Sequence, residues 1–575
     1  MSSPRIAILV SFLCAVSAPL CAQSGSTDRH PGAHTSAPVT ITVDDVVAAP
    51  KPADKAPSKH SAKNTKKKTE EVDLEKAAEQ AKKERIHTLL DRAYALTEQL
   101  TPLERWSVMT SLLDVAGREY PEKAVDWAID LWTVAKDLPD RQRMSAQSTV
   151  ISTVARIDPD KALALLPMMD KSNELDGVAW PSFAATAVFG EMQRKHGASV
   201  IPELQKVARS MAKDGSYPYL AAASLMGHGW RRDDESESSS EQSASIFRDA
   251  FQAYQTAPEH SNDQGFTQFL MQTWRNAPRE LAVQAADSLA QNLLGVGADS
   301  NFNGSLQVDG KKIGLHSRAD AQLVQLMRVL KELDPGMLAK VIEARPDFAG
   351  AQDGRMNGMR TSFNSGQPAS PEMQQQVAQI RQRSDTMRMA RTDPDKALAT
   401  AATMSDAGDK ANMLAMTASA MARNSPEDAA KVLDEAQKIA AQVQDQMAEL
   451  RIVVSSAQAA KQLKQPQRVR EFMARGLELG SQLVRKQMDD HPETNGQGEA
   501  LGYMNSLVSM GMADDPNGVT AVIDAVPYPM AKAMLYTTAA RSMQWGGRFR
   551  GDMGMASGFI NGGGGAVVSV GPLPR

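Results

Sequence analysis

Asp299-Ser300-Asn301-Phe302-Asn303-Gly304 places oxygen-bearing side chains at alternate positions ahead of a glycine. A loop that wraps Ca²⁺ needs this spacing, because alternate ligands converge and the glycine allows the tight turn. Asp309 then falls one place short of the twelfth position, where Gly310 stands instead of a bidentate acid. For metal chemistry, Asp299, Asn301, Asn303 and Asp309 are the candidate ligands. For folding, the same residues make an Asn/Gly turn, and the missing acid favours that reading.

Other chemistry is thinly represented. The nine histidines form no His-Glu-x-x-His pair, so a histidine-built zinc site is not expected. No Walker-type or dinucleotide glycine pattern and no Gly-x-Ser-x-Gly elbow occurs. No catalytic residue, cofactor or firm metal site is assigned. Acids from separate helices could still meet as a glycosidase-type pair, which spacing alone does not exclude. Of 31 methionines, 21 lie at or after Met337. Thioethers can hold Cu(I) or form adaptable surfaces. At helical spacing, as in Met413, Met416 and Met421, they read first as core filler. Trp230-Arg231-Arg232 is the candidate partner-binding cluster, since an exposed Trp beside Arg suits an interface.

The elements that must position these residues are helical. The chain has 575 residues, 42% hydrophobic but only 5% aromatic, with abundant Ala and Met, a balance suited to close-packed helices. Its formal net charge of -4 offers no field for nucleic acid. Residues 1–22 read as a secretory signal, with Arg5 before the apolar run Ile6 to Val16 and a small-residue end at Ala22. Both cysteines, Cys14 and Cys21, fall inside it, so a mature chain would use no thiol chemistry. Residues 23–72 read as a disordered linker. Its stretch 51–68 carries seven lysines against one acid, Asp54, suiting loose contact with an anionic envelope.

From residue 73 to 545 the pattern is a chain of helix starts. Thr101-Pro102-Leu103-Glu104 is the first. Tyr120-Pro121, Asp158-Pro159, Ile201-Pro202, Ala277-Pro278, Asp334-Pro335, Asp393-Pro394, Ser425-Pro426, Gln465-Pro466 and Asp515-Pro516 follow. The Asp or Ser caps an orphan N–H, Pro fixes φ without wasting a donor, and following acids meet the positive dipole end. The ten residues from Ala155 to Ala164 recur with one change from Ala390 to Ala399, which marks an internal repeat. The spacing fits helical hairpins, with one start hidden between Pro202 and Pro278. Irregular loops are expected at 231–243, 295–317 and 347–371, the second with a short hairpin turning at Asp309-Gly310. Residues 546–575 read as a Gly-rich tail.

This layout resembles the exported helical-hairpin solenoids of tetratricopeptide and HEAT type over about residues 85–545. The Trp, Leu-Gly and Tyr positions of a tetratricopeptide unit are absent after Pro159 and Pro394. The fold expected is all-α, an α-α superhelix. The resemblance implies a non-catalytic scaffold that binds a protein or peptide on its concave face, here in the bacterial envelope, periplasmic or extracellular. A helical-barrel hydrolase acting on polysaccharide and methionine-based metal handling are the alternatives.

Overall fold

The computed structural model describes residues 61–170, 180–213, 216–226, 237–258, 263–298, 302–308, 311–351, 364–365, 385, 388–390, 392–491 and 498–545. The chain divides into two units, 1–81 and 82–575. The described part of the first is the N-terminal portion of helix α1, Ser61–Thr97. The expected signal and the linker up to residue 60 lie outside the described residues. Helix α1 begins inside the segment expected to be linker, where Ala, Lys and Glu, all good helix formers, are frequent.

Among its described residues the second unit is all-α apart from one small sheet, with successive helices packed on one another. In its N-terminal half, α1 is followed by α2 (Pro102–Glu119), α3 (Pro121–Val134), α4 (Asp140–Ile157), α5 (Pro159–Leu165), α6 (Trp180–His196) and α7 (Ile201–Lys213). Then come α8 (Tyr219–Met226), α9 (Glu237–Thr256), α10 (Asp263–Thr273), α11 (Arg279–Gly295), α12 (Arg318–Leu333) and α13 (Pro335–Ala344). The C-terminal half holds α14 (Pro394–Thr403), α15 (Ala407–Met421), α16 (Pro426–Ala440), α17 (Gln446–Gln462) and α18 (Pro466–Asp490). It ends with α19 (Glu499–Met512), α20 (Pro516–Asp524) and α21 (Pro529–Trp545).

The Asp-Pro starts do what their chemistry requires. The carboxylates of Asp158, Asp334, Asp393 and Asp515 each accept from one or two backbone N–H groups of the helix that follows. Thr101 and Glu104 form a full capping box. Two starts differ from expectation. Ser425 makes no side-chain cap bond, and Pro278 sits at the cap position of α11 rather than inside its first turn. The interval between Pro202 and Pro278 contains α7 to α10, and α8 starts straight after Pro218, the hidden mark. Helix α9 begins at Glu237, inside the expected loop 231–243. Its buried stripe of Phe247, Ala250, Phe251 and Tyr254 organises a helix that the preceding serines extend.

The expected hairpin forms. Strands β1 (Phe302–Val308) and β2 (Lys311–Leu315) pair antiparallel from Gly304 with Leu315 to Val308 with Lys311. Asp309-Gly310, where the turn is expected, lie outside the described residues. A third strand, β3 (Asn364–Ser365), pairs with the start of β1.

The helices stack in two rows. Along one row each even-numbered helix from α2 to α12 packs on the next, and so do α15, α17, α19 and α21. The two runs join where α21 packs on α2. The stacking order is therefore permuted relative to the sequence: the last hairpin sits beside the first. In the other row, α20 meets α1 through Arg92 and Asp524, 3.3 Å apart. One apolar core runs through this junction, from Ile86 and Leu90 of α1 and Leu112 of α2 to Met530, Leu535 and Ala539 of α21. Helices α18 and α19 approach closely because Gly476 and Gly480 face Leu507 and Met504 with no room for a Cβ.

Candidate functional site: a polar seam along the close-packed row

The helices of the close-packed row turn short polar side chains to their half-exposed faces, and these bond from helix to helix. Ser455 of α17 donates to Asn412 of α15 at 2.8 Å. Lys461 of α17 donates to the Met510 carbonyl of α19 at 2.6 Å and pairs with Asp514 at 2.8 Å. Between α19 and α21, Thr538 donates to Asn505 at 2.8 Å and Ser542 lies 3.0 Å from Ser509. Thr538, Arg541 and Ser542 lie three and four residues apart, on one face of α21.

At the α21–α2 junction the seam becomes charged. Arg541 of α21 donates to the Ser111 carbonyl at 3.3 Å and to Asp114 of α2 at 3.3 Å. Asp114 also faces Arg118 of α2 at 3.6 Å and Arg156 of α4 at 3.9 Å. Three guanidinium groups thus share one carboxylate, and two of the three approaches exceed hydrogen-bond length. Burial lowers the pKa of Arg156, Arg118 lowers it further, and Asp114 and Glu191 oppose them. Glu191 of α6 is taken up by Arg194 at 2.5 Å. With five N–H donors on each guanidinium, the cluster holds more donors than its own acceptors fill.

On the other row, a cavity of about 280 Å³ opens between α1 and α20, lined by Arg85, Arg92, Asn517 and Asp524 among others. Asp524 accepts from Tyr536, whose pKa is pushed up to about 12 by burial and this bond. Arg85 is bonded to Asn517 and Arg92 to Asp524, so the polar side chains of the cavity wall pair with one another.

An acid pair does form, between Asp287 of α11 and Asp334. Burial and the neighbouring Asp334 raise the pKa of Asp287, whereas backbone N–H groups of α13 hold Asp334 low. Asp334 is already occupied as the cap of α13, bonded to the N–H groups of Gly336 and Met337 at 2.9 and 3.1 Å. The pair therefore belongs to a helix start.

Of the sequence-predicted site residues, Trp230, Arg231 and Arg232 lie outside the described residues, as do Asp299, Asn301 and Asp309. Asn303 is placed in β1, paired with Asn364 of β3. Among the described residues no group of three or more His, Cys, Asp or Glu is arranged to hold a metal. Met413, Met473, Met488, Met504, Met512, Met530 and Met534 are buried, in the core positions that helical spacing suggests. Trp127 is also buried, stacked 4.7 Å from Tyr94.

Sequence reading missed the arginine cluster because Arg118, Arg156 and Arg541 come together only through the permuted stacking. Arg156 carried a signal, but as the last-turn cation of α4 it already had a structural explanation. The sequence matches no protein-family model and no curated protein. No helix among the described residues is long and apolar enough to cross a membrane.

Proposed function

We propose that this chain is a non-catalytic helical-repeat scaffold, related in style to tetratricopeptide and HEAT arrays, that binds an extended protein or peptide segment in the bacterial envelope. The observation that carries this reading is the polar seam. Asn412, Ser455, Asn505, Ser509, Thr538 and Ser542 form a line of short donors and acceptors across successive helices. Short side chains let a partner backbone approach closely, and amide and hydroxyl groups both donate and accept, matching the needs of a peptide main chain. Rigid stacked helices hold that line in place without an ordering cost at binding.

Export is proposed on the signal-like residues 1–22. The acid pair that bears on the alternative of a polysaccharide hydrolase among the described residues is Asp287 with Asp334, and the Asp334 carboxylate is committed to capping α13. The methionine reading draws no support from thioethers buried in apolar surroundings.

The test is photo-crosslinking from position 505 or 538 in the exported fraction, with position 434 on α16, in the other row, as control. Adducts specific to 505 and 538 are expected. Equal or no adducts at all three positions would overturn the proposal.

A further inference from the structure

We infer that the cluster of Arg118, Arg156 and Arg541 is a carboxylate-recognition site that anchors an acidic segment of the partner where the polar seam crosses from α21 to α2. The inference rests on the peptide-binding reading above and names the chemistry of the peptide.

Three observations carry it. First, the charges do not balance. Arg118, Arg156, Arg541 and Arg194 stand against Asp114 and Glu191, a surplus of positive charge along four successively packed helices, α21, α2, α4 and α6. Second, the guanidinium donors are underused. Arg118 approaches Asp114 at 3.6 Å and Arg156 at 3.9 Å, so their N–H groups are open to a second anion. A guanidinium fork matches a carboxylate bidentately, at shorter distances than these. Third, the position is reachable and yet shaped. The side chains of Arg118 and Arg541 are 46% and 42% exposed, whereas Arg156 lies deeper, braced at 3.4 Å on the Ser152 carbonyl. Arg541 is braced on the Ser111 carbonyl. Asp114 marks where a carboxylate fits among the three, and its own charge disfavours a dianion such as phosphate more than it disfavours a carboxylate.

Asp114 is thus both a placeholder and a competitor, and this gives the test its sign. Labelled Ser-Glu, Ser-Gln and phosphoserine-Gln copolymer peptides are titrated against the full chain at low salt by fluorescence anisotropy. The Ser-Glu peptide is expected to bind about tenfold or more tighter than Ser-Gln, a difference of about 1.4 kcal/mol. Arg118→Gln and Arg541→Gln should each remove most of that preference, and Asp114→Asn should strengthen Ser-Glu binding. The strengthening separates recognition from a structural role, because a merely structural Asp114 would give loss or no change. Arg118 and Asp114 are half-exposed, so both variants should fold, with unfolding midpoints near that of the parent. Equal binding of Ser-Glu and Ser-Gln overturns the carboxylate site and leaves the peptide-binding reading standing. Binding of the phosphoserine peptide alone overturns it in favour of a phosphate site. Binding of no peptide overturns both readings.

Discussion

Arg541, in the last of the described helices, lies 3.3 Å from the carboxylate of Asp114, 427 positions earlier in the chain. The two side chains are 42% and 50% exposed, and pairs this wet contribute at most ~1 kcal/mol. The Arg92–Asp524 pair across the other row is equally exposed. Salt bridges therefore align the junction of the first and last hairpins, and apolar packing between α21, α2 and α19 holds it.

The two contributions separate by mutation. Leu535, fully buried on α21, should lose about 2–5 kcal/mol on change to Ala, by lost transfer and the cavity left behind. Arg541→Ala should cost under ~1 kcal/mol. Urea midpoints of the two variants check this, and a larger loss for Arg541→Ala would reverse the assignment.

The recurring helix starts make a graded prediction. Asp158→Ala and Asp393→Ala each remove a cap bond to the N–H of Lys161 or Lys396 and should each cost about 1 kcal/mol. Ser425→Ala should cost much less, since Ser425 makes no such bond. Thermal unfolding of the three variants orders them. A Ser425 variant as unstable as the aspartate variants would show that the cap bond is not what these positions supply.

Much of this architecture was readable in advance, and the reason is local. A Pro with an Asp before it and acids after it specifies a helix start through contacts within four residues, so Asp158, Asp334, Asp393 and Asp515 announced themselves. Asp309-Gly310, between two short apolar runs, announced the pairing of β1 with β2 in the same way. The beginning of α9 was missed because its serines are locally indifferent, and the distant apolar stripe of Phe247 and Phe251 decides for them. The arginine cluster was unreadable for a deeper reason. Its members sit on α2, α4 and α21, and nothing near Arg541 in sequence indicates that α2 is its neighbour.

Close packing of α18 on α19 depends on missing side chains. A Cβ at Gly476 would collide with Leu507, and one at Gly480 with Met504. Gly480→Ala should cost less than Gly476→Ala, because the Met504 thioether can rotate away whereas a branched Leu side chain is stiffer. Overpacking of this kind costs about 1–3 kcal/mol. Denaturant unfolding of the two variants tests the order.

The Asp287–Asp334 pair predicts a pH response with a definite sign. The folded-state pKa of Asp287 is raised, so its contribution to stability is present at acid pH and lost as pH rises through that value. The pKa of Asp334 is lowered, so its contribution is present above the ordinary carboxylate range and lost as pH falls through the depressed value. Both contributions coexist only in the acid window between the two, where the pair holds one proton. Asp287→Asn supplies a permanent donor to Asp334 and removes the cost at higher pH. Its unfolding midpoint should therefore exceed the parent's at neutral pH, with the gap closing on acidification. A gap that widens toward acid would contradict the assignment.

The junction of α21 with α2 also sets a timetable. A solenoid stacked in sequence order can acquire its core repeat by repeat as each hairpin emerges. Here the α21-facing side of α2 lacks its native neighbour until α21 has been made. Its sequence-distant contacts raise the loop-closure entropy of folding and slow it. The final hairpin acts as a keystone, and a chain shortened before α20 would leave the first hairpin without its neighbour, however complete the rest of the stack.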